Sequence, residues 1–219
     1  MHQTVSIDME KDLLEANRKL AEENHKKLRG MGVFSIDVLG SIGSGKTRLI
    51  ERMILDLTEM GRPCGAILGD VTGDDDYRRI CGLNVPAFNL NTGKECHLDA
   101  HLTGHAISDM ELENIDVLFI ENVGNLVCPA DFPLGTDRRI VVISVTEGDD
   151  MIRKHPLIFR EADIIVVNKK DLADIMEVDI DRIVSDAKRI RPDSPVILTD
   201  ARKGEGIGEL IDALNIPRS

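Results

Sequence analysis

No run of apolar residues in this sequence approaches the ~20 needed to cross a bilayer, and Met1–Lys11 holds no apolar stretch of a secretory signal. These absences point away from a membrane and to the cytoplasm as the place of work. Cysteine is scarce. A chain kept reduced would use Cys64, Cys81, Cys96 and Cys128 as buried hydrophobes, metal ligands or reactive groups, not as a disulfide framework. Positive charge is in deficit, with 27 Lys and Arg against 39 Asp and Glu and a net charge of −12. Such a surface repels phosphate backbones, which excludes nucleic acid as a general partner. A nucleotide is still admissible where backbone amides and one or two cations outweigh the distant field. Internal repeats, low-complexity tracts and a linker between two cores are also absent.

What is present is ordinary for a soluble globular domain: 42% hydrophobic and 30% charged residues over 219 positions, enough for one proper core. Asp8–Arg29 is free of Gly and Pro and carries Leu13, Leu14, Leu20, Ala21 and Leu28 as an apolar stripe at helical spacing. That helix is expected to lie along the domain flank or against a second chain, and Gly30–Gly32 ends it. Strands fit Val33–Leu39, Cys64–Leu68, Val85–Leu90, Val117–Ile120, Ile140–Val145, Ile164–Val167 and Val196–Leu198. Helices fit Lys46–Met60, Leu98–Met110, Asp150–Arg160, Val178–Ile190 and Ile207–Leu214. Apolar strands without polar alternation, spaced by amphipathic helices, predict an α/β fold with a mostly parallel sheet covered by helices on both faces. The expected organisation is a helical extension over residues 1–31 and a nucleotide-binding domain over 32–215.

Gly40-Ser-Ile-Gly-Ser-Gly-Lys46-Thr47 matches G-x-x-x-x-G-K-[ST] between an apolar strand and an amphipathic helix, the P-loop context. Glycines let successive N–H groups face phosphate oxygens at a helix N-terminus. Nucleotide contacts are expected from Gly43, Ser44, Gly45, Lys46, Thr47 and Arg48, with Lys46 on the β- and γ-phosphates and Thr47 on Mg²⁺. Taken alone, the loop means only a nucleoside triphosphate.

Asn168-Lys169-Lys170-Asp171 follows a strand, at the sheet edge where open α/β folds bind ligands. Guanine offers N1–H and N2–H₂ side by side, so the Asp171 carboxylate can accept from both, whereas adenine presents an acceptor at N1. Lys169 would lie over the base and Asn168 would tie loops together. A backbone amide near Ala201 could reach the guanine O6. The plainer role for Asp171 is a helix N-cap; the motif's placement favours GTP.

Glu121-Asn-Val-Gly124 directly follows a strand and offers an acid near Mg²⁺ with a flexible amide for the γ-phosphate. Asp70 and Asp75, at either end of a short acidic loop, are both candidates for holding Mg²⁺ or orienting the attacking water; the bland alternative is a solvated turn. Beyond the same sheet edge come Cys96-His97 and Cys128-Pro129. Two thiolates and an imidazole suit Zn²⁺ or Ni²⁺. His101 and His105 follow His97 at i+4 and i+8 on one helix face, and are candidates to supplement the set. Inert thiols and a face of exposed histidines are the competing account, and the expected one for Cys64 and Cys81. Three ligands leave a tetrahedral ion one short, open to water or to a second subunit.

Asn91-Thr-Gly-Lys-Glu-Cys-His-Leu-Asp-Ala100 and Glu121-Asn-Val-Gly-Asn-Leu-Val-Cys-Pro129, with the two nucleotide loops, resemble the hydrogenase nickel-incorporation GTPases, the HypB family, over about Gly32 to Leu214. The resemblance implies a SIMIBI-class P-loop GTPase fold and nickel delivery to the large subunit of [NiFe]-hydrogenase. It further implies GTP-dependent dimerisation, work alongside another nickel maturation factor, and a metal site at Cys96, His97 and Cys128. Some relatives carry an N-terminal nickel motif rich in Cys or His; here Met1–Gly30 has no Cys and only His2 and His25, which leaves the shared site as the functional one. A urease-accessory-like nickel GTPase and a P-loop small-molecule kinase are the alternatives.

Overall fold

β-branched and aliphatic residues crowd the strand positions, and the five inner strands of the sheet bury every one of them, as a sheet covered on both faces requires. In the computed structural model, residues 2–217 are described, with side chains from Lys11 onward. The strands are β1 (Phe34–Gly40), β2 (Cys64–Asp70), β3 (Ala87–Asn91), β4 (Val117–Glu121), β5 (Arg138–Ser144), β6 (Ile164–Asn168) and β7 (Val196–Leu198). They form one sheet of order β3-β2-β4-β1-β5-β6-β7, with every adjacent pair parallel.

The helices are α1 (His2–Gly30), α2 (Lys46–Glu59), α3 (Asp75–Cys81), α4 (Ala100–Asp109), α5 (Met151–Lys154), α6 (Pro156–Arg160), α7 (Ile180–Ile190) and α8 (Ile207–Leu214). One face of the sheet packs through Ile36, Val38, Phe119 and Val142 against Leu49, Met53 and Leu57 of α2 and Leu210 and Leu214 of α8. On the other face, Ile152, Phe159 and Ile183 from α5, α6 and α7 cover Val141, Ile143 and Ile165. Leu28 of α1 and Ile107 of α4 cover Ile67, Leu118 and Ile120. The α/β class with helices on both faces is therefore observed as expected.

Several boundaries differ from the sequence expectation. The expected helix 150–160 is split into α5 and α6 at His155, because Pro156 brings no N–H and its ring disfavours helical backbone in the preceding residue. Helix α3 has no counterpart in the sequence reading; its short, acid-led stretch looks like a turn. Helix α4 starts at Ala100, with the Asp99 carboxylate accepting from the Leu102 N–H at 2.7 Å. His97 thus precedes the helix and shares no helical face with His101 and His105.

Candidate functional site

Because all strands are parallel, their C-terminal ends share one edge. Strand order reverses at β1, flanked by β4 and β5, which opens a crevice beside the loop that follows it. That loop, 40–47, delivers Lys46 and Thr47 to the start of α2, where both are buried. The Thr47 hydroxyl donates to Glu121 Oε1 at 2.9 Å, and Lys46 Nζ lies 3.9 Å from the same carboxylate while donating to the Ser41 carbonyl at 3.2 Å. Burial opposes charge on both partners. It lowers the Lys46 pKa and pushes Glu121 up to about 7, with Asp76 and Asp70 also raising Glu121 against the pull of Lys46 and Thr47. Glu121 Oε2 is buried with no hydrogen-bond partner. A buried carboxylate short of positive charge is suited to a cation.

The second loop is already braced. Asn168 Nδ2 donates to the Ser44 carbonyl at 2.9 Å, and its Oδ1 accepts from Thr199 Oγ1 at 3.0 Å and the Ala201 N–H at 3.1 Å. Lys169 takes a left-handed conformation, φ 58°, and its Nζ donates to the Gly43 carbonyl at 2.7 Å. Gly45 also has positive φ, and a Cβ there would collide with the Asn168 amide. Between these loops lies a cleft of about 190 Å³ lined by Gly45, Arg48, Lys169, Asp171, Ala201 and Arg202. The exposed Asp171 stands at its rim with no ion pair among the described residues.

Cys96, His97 and Cys128 converge from two loops, with their candidate ligand atoms all within 4.8 Å of one another. Ligand bonds of ~2.0–2.3 Å place tetrahedral donors roughly 3.3–3.8 Å apart, so small side-chain rotations would close the set on an ion. Cys96 Sγ lies 3.8 Å from His97 Nδ1, and the His97 ring packs against Phe132 with centroids 4.1 Å apart. The neighbouring Cys128 thiol, then burial, raises the Cys96 pKa, while burial lowers that of His97 despite Asp99 and Glu95. His101 is outside this cluster; it meets His105 edge-on at 4.6 Å. Cys64 is buried in β2, its thiol pushed up to about 12 chiefly by burial, and Cys81 is exposed at the end of α3.

One segment, 121–128, joins the two centres. Glu121 touches Thr47; Asn122 Oδ1 accepts from the Leu98 N–H at 3.0 Å, next to His97; and the Asn125 N–H donates to the Gly40 carbonyl at 3.0 Å. The Asn125 amide then donates to the Cys96 carbonyl at 3.2 Å. The sequence reading missed Asn122 and Asn125, whose partners are remote in sequence. It also missed Glu147, which accepts from Ser41 Oγ of the P-loop at 2.5 Å. Asp76 escaped it too: this residue and Asp70 act electrostatically on Lys46 and Glu121, whereas Asp75, one step earlier on α3, is exposed and is not among the charges acting there.

Residues 35–198 match the family described as CobW/HypB/UreG, nucleotide-binding domain. The chain is 52% identical over 212 residues to the "Probable hydrogenase maturation factor HypB" of Methanocaldococcus jannaschii, covering 97% of this chain and 96% of that one. Among solved structures, the hydrogenase maturation factor HypB from Archaeoglobus fulgidus superposes with a TM-score of 0.85 at 46% identity, over 92% of this chain and 98% of that chain. HypB from Helicobacter pylori in complex with nickel does so with a TM-score of 0.85 at 29% identity, over 93% and 98%. With its parallel sheet, P-loop and these relatives, the chain belongs to the HypB family of hydrogenase maturation factors, P-loop proteins of the CobW/HypB/UreG nucleotide-binding class.

Proposed function

We propose that this protein is a GTP-hydrolysing nickel metallochaperone that serves [NiFe]-hydrogenase maturation as a GTP-dependent homodimer. The observation that carries the reading is segment 121–128, which begins on the Thr47 hydroxyl and ends on the Cys128 thiol. This segment gives a change at the γ-phosphate that moves Glu121 or Gly124 a short path to Cys128, and through Asn125 to the backbone of Cys96.

Lys46 and the P-loop amides hold the β- and γ-phosphates, and Asp171 selects guanine with the Ala201 amide on O6. Thr47 and Glu121, with Asp70 or Asp76, would hold Mg²⁺, which fits the unpartnered Glu121 oxygen; the ion supplies positive charge against the phosphates. The carboxylate not engaged there orients the attacking water. Asp76 is preferred here to Asp75, one of the two acids that spacing left open, because Asp76 and Asp70 are the carboxylates whose charge acts on Lys46 and Glu121. Cys96, His97 and Cys128 carry Ni²⁺ as cargo, the nickel in the H. pylori relative favouring it over Zn²⁺. The missing fourth ligand comes from water or from the second copy; in the second case pairing and release alter the site together. The partners are the hydrogenase large subunit and a second nickel maturation factor.

Nickel affinity measured by chelator competition should differ at least severalfold between the GTP-analogue and GDP forms. Nickel transfer to an apo-hydrogenase large subunit should be lost in Cys128→Ala for want of cargo. Lys46→Ala should load nickel but fail to hand it over. Equal affinity in both nucleotide states would remove the coupling, and with it this reading.

A further inference from the structure

The buried face of α1 is not purely apolar. Half-buried Leu14 and buried Ala21 and Leu28 recur at seven-residue intervals, and between them Asn17 and Asn24 are buried as well. A buried amide is costly unless its polar atoms are paired. The partners of these two are backbone groups far away in the chain. Asn17 Oδ1 accepts from the Ala100 N–H at 2.8 Å, and its Nδ2 donates to the Pro133 carbonyl at 2.9 Å. Asn24 Nδ2 donates to the Ala100 carbonyl at 2.8 Å and to the Leu134 carbonyl at 3.1 Å.

Each asparagine therefore bridges the same two segments. Ala100 lies just beyond Cys96-His97, and Pro133-Leu134 just beyond Cys128. Between the bridges and the ligands, the His97 ring rests on Phe132, the neighbour of Pro133. Two glycines allow the close approach. A Cβ at Gly104 would stand 2.7 Å from Asn24 Oδ1, and one at Gly135, whose φ is +91°, would collide with the Ala21 carbonyl.

We propose that Asn17 and Asn24 are positioning residues of the Cys96–His97–Cys128 site, a clamp by which α1 fixes the separation of its two ligand-bearing segments. The proposal rests on the metal-carrying reading above for its function, but its geometry can be tested without metal. Groups outside the first ligand set that hold ligands in place typically change metal affinity 10–100-fold when removed.

The test uses the full chain carrying Cys81→Ser, so that Cys96 and Cys128 are the remaining accessible thiols. Asn24→Ala removes the amide; Gly104→Ala displaces it while leaving it present; Asn24→Gln keeps the donor. Three quantities are read: Ni²⁺ affinity, capture of the thiol pair by phenylarsine oxide in metal-free protein, and affinity for a fluorescent guanine nucleotide. In Asn24→Ala and Gly104→Ala, nickel affinity should fall roughly 10–100-fold and arsenical capture severalfold. Nucleotide affinity should stay within about twofold, and Asn24→Gln should recover part of the loss. Unchanged nickel affinity and capture would overturn the clamp. So would a parallel fall in nucleotide affinity, since that marks general loss of structure. If the parent itself bound no nickel, the metallochaperone reading would fail, while arsenical capture alone would still decide the clamp.

Discussion

Asp171 is the residue on which the choice of base turns. Its carboxylate stands at the rim of the cleft beside Ala201, while the Asn168 bonds that brace the loop are already made. Removing one acceptor should therefore alter recognition without collapsing the site. Asp171→Asn replaces an acceptor pair with one acceptor and one donor, facing guanine N1–H or N2–H₂ with the wrong sign. GTP affinity should drop roughly 100-fold, with xanthosine triphosphate now favoured, in competition against a fluorescent nucleotide. Unaltered preference for GTP would place base recognition elsewhere. At this scale, legibility followed contiguity. Lys46 and Asp171 lie in short motifs whose chemistry is complete within a few residues, so the sequence displays them. Asp76 looks no different from Asp75 in an acidic run; only the turn of α3 decides which carboxylate acts on Lys46. Asn17 and Asn24 read as polar interruptions of a helical stripe, because their partners are separated from them by 76 to 116 residues.

At the scale of elements, the stretch after β4 has contacts at both centres. Its close seat on the P-loop depends on Gly124: a Cβ there would collide with the Ile42 side chain and come within 3.0 Å of the Ile42 N and Cα atoms. Gly124→Ala should force the two segments apart while sparing the sheet. The expected outcome is a folded protein whose nickel affinity in GDP matches the parent, but whose affinity change on exchanging GDP for a GTP analogue shrinks severalfold. Chelator competition in both nucleotide states measures this, and an unchanged shift would mean that the link runs by another route. Strands were legible because burial on both faces imposes a continuous apolar run, and long helices because burial on one face imposes a period. Where an element is short or broken, local chemistry overrides the period. The split at Pro156 follows from the missing N–H, and the late start of α4 follows from Asp99 capping. Helix α1 was legible as a helix, but its face was not. Leu13, counted in the stripe, is 58% exposed, while Asn17 and Asn24 complete the buried row.

Across the whole molecule, the net charge of −12 bears on pairing. Two copies that associate through the nucleotide and metal edge bring like-charged bodies together, and the cost is a long-range repulsion that salt screens. Raising ionic strength from about 0.05 M to about 0.5 M shortens the screening length from roughly 14 Å to roughly 4 Å, so most of that repulsion disappears. Contacts made at short range, whether an apolar patch or a metal ion shared by thiolates, are little affected over the same interval. The GTP-bound dimer should therefore tighten severalfold as salt is added, while the GDP form stays monomeric, as read by sedimentation equilibrium at matched nucleotide. An interface assembled from surface ion pairs would respond in the opposite direction and weaken. Weakening of that kind would assign the interface to a surface of paired charges, away from the Cys96–Cys128 edge. The fourth metal ligand would then have to come from water and not from the second copy.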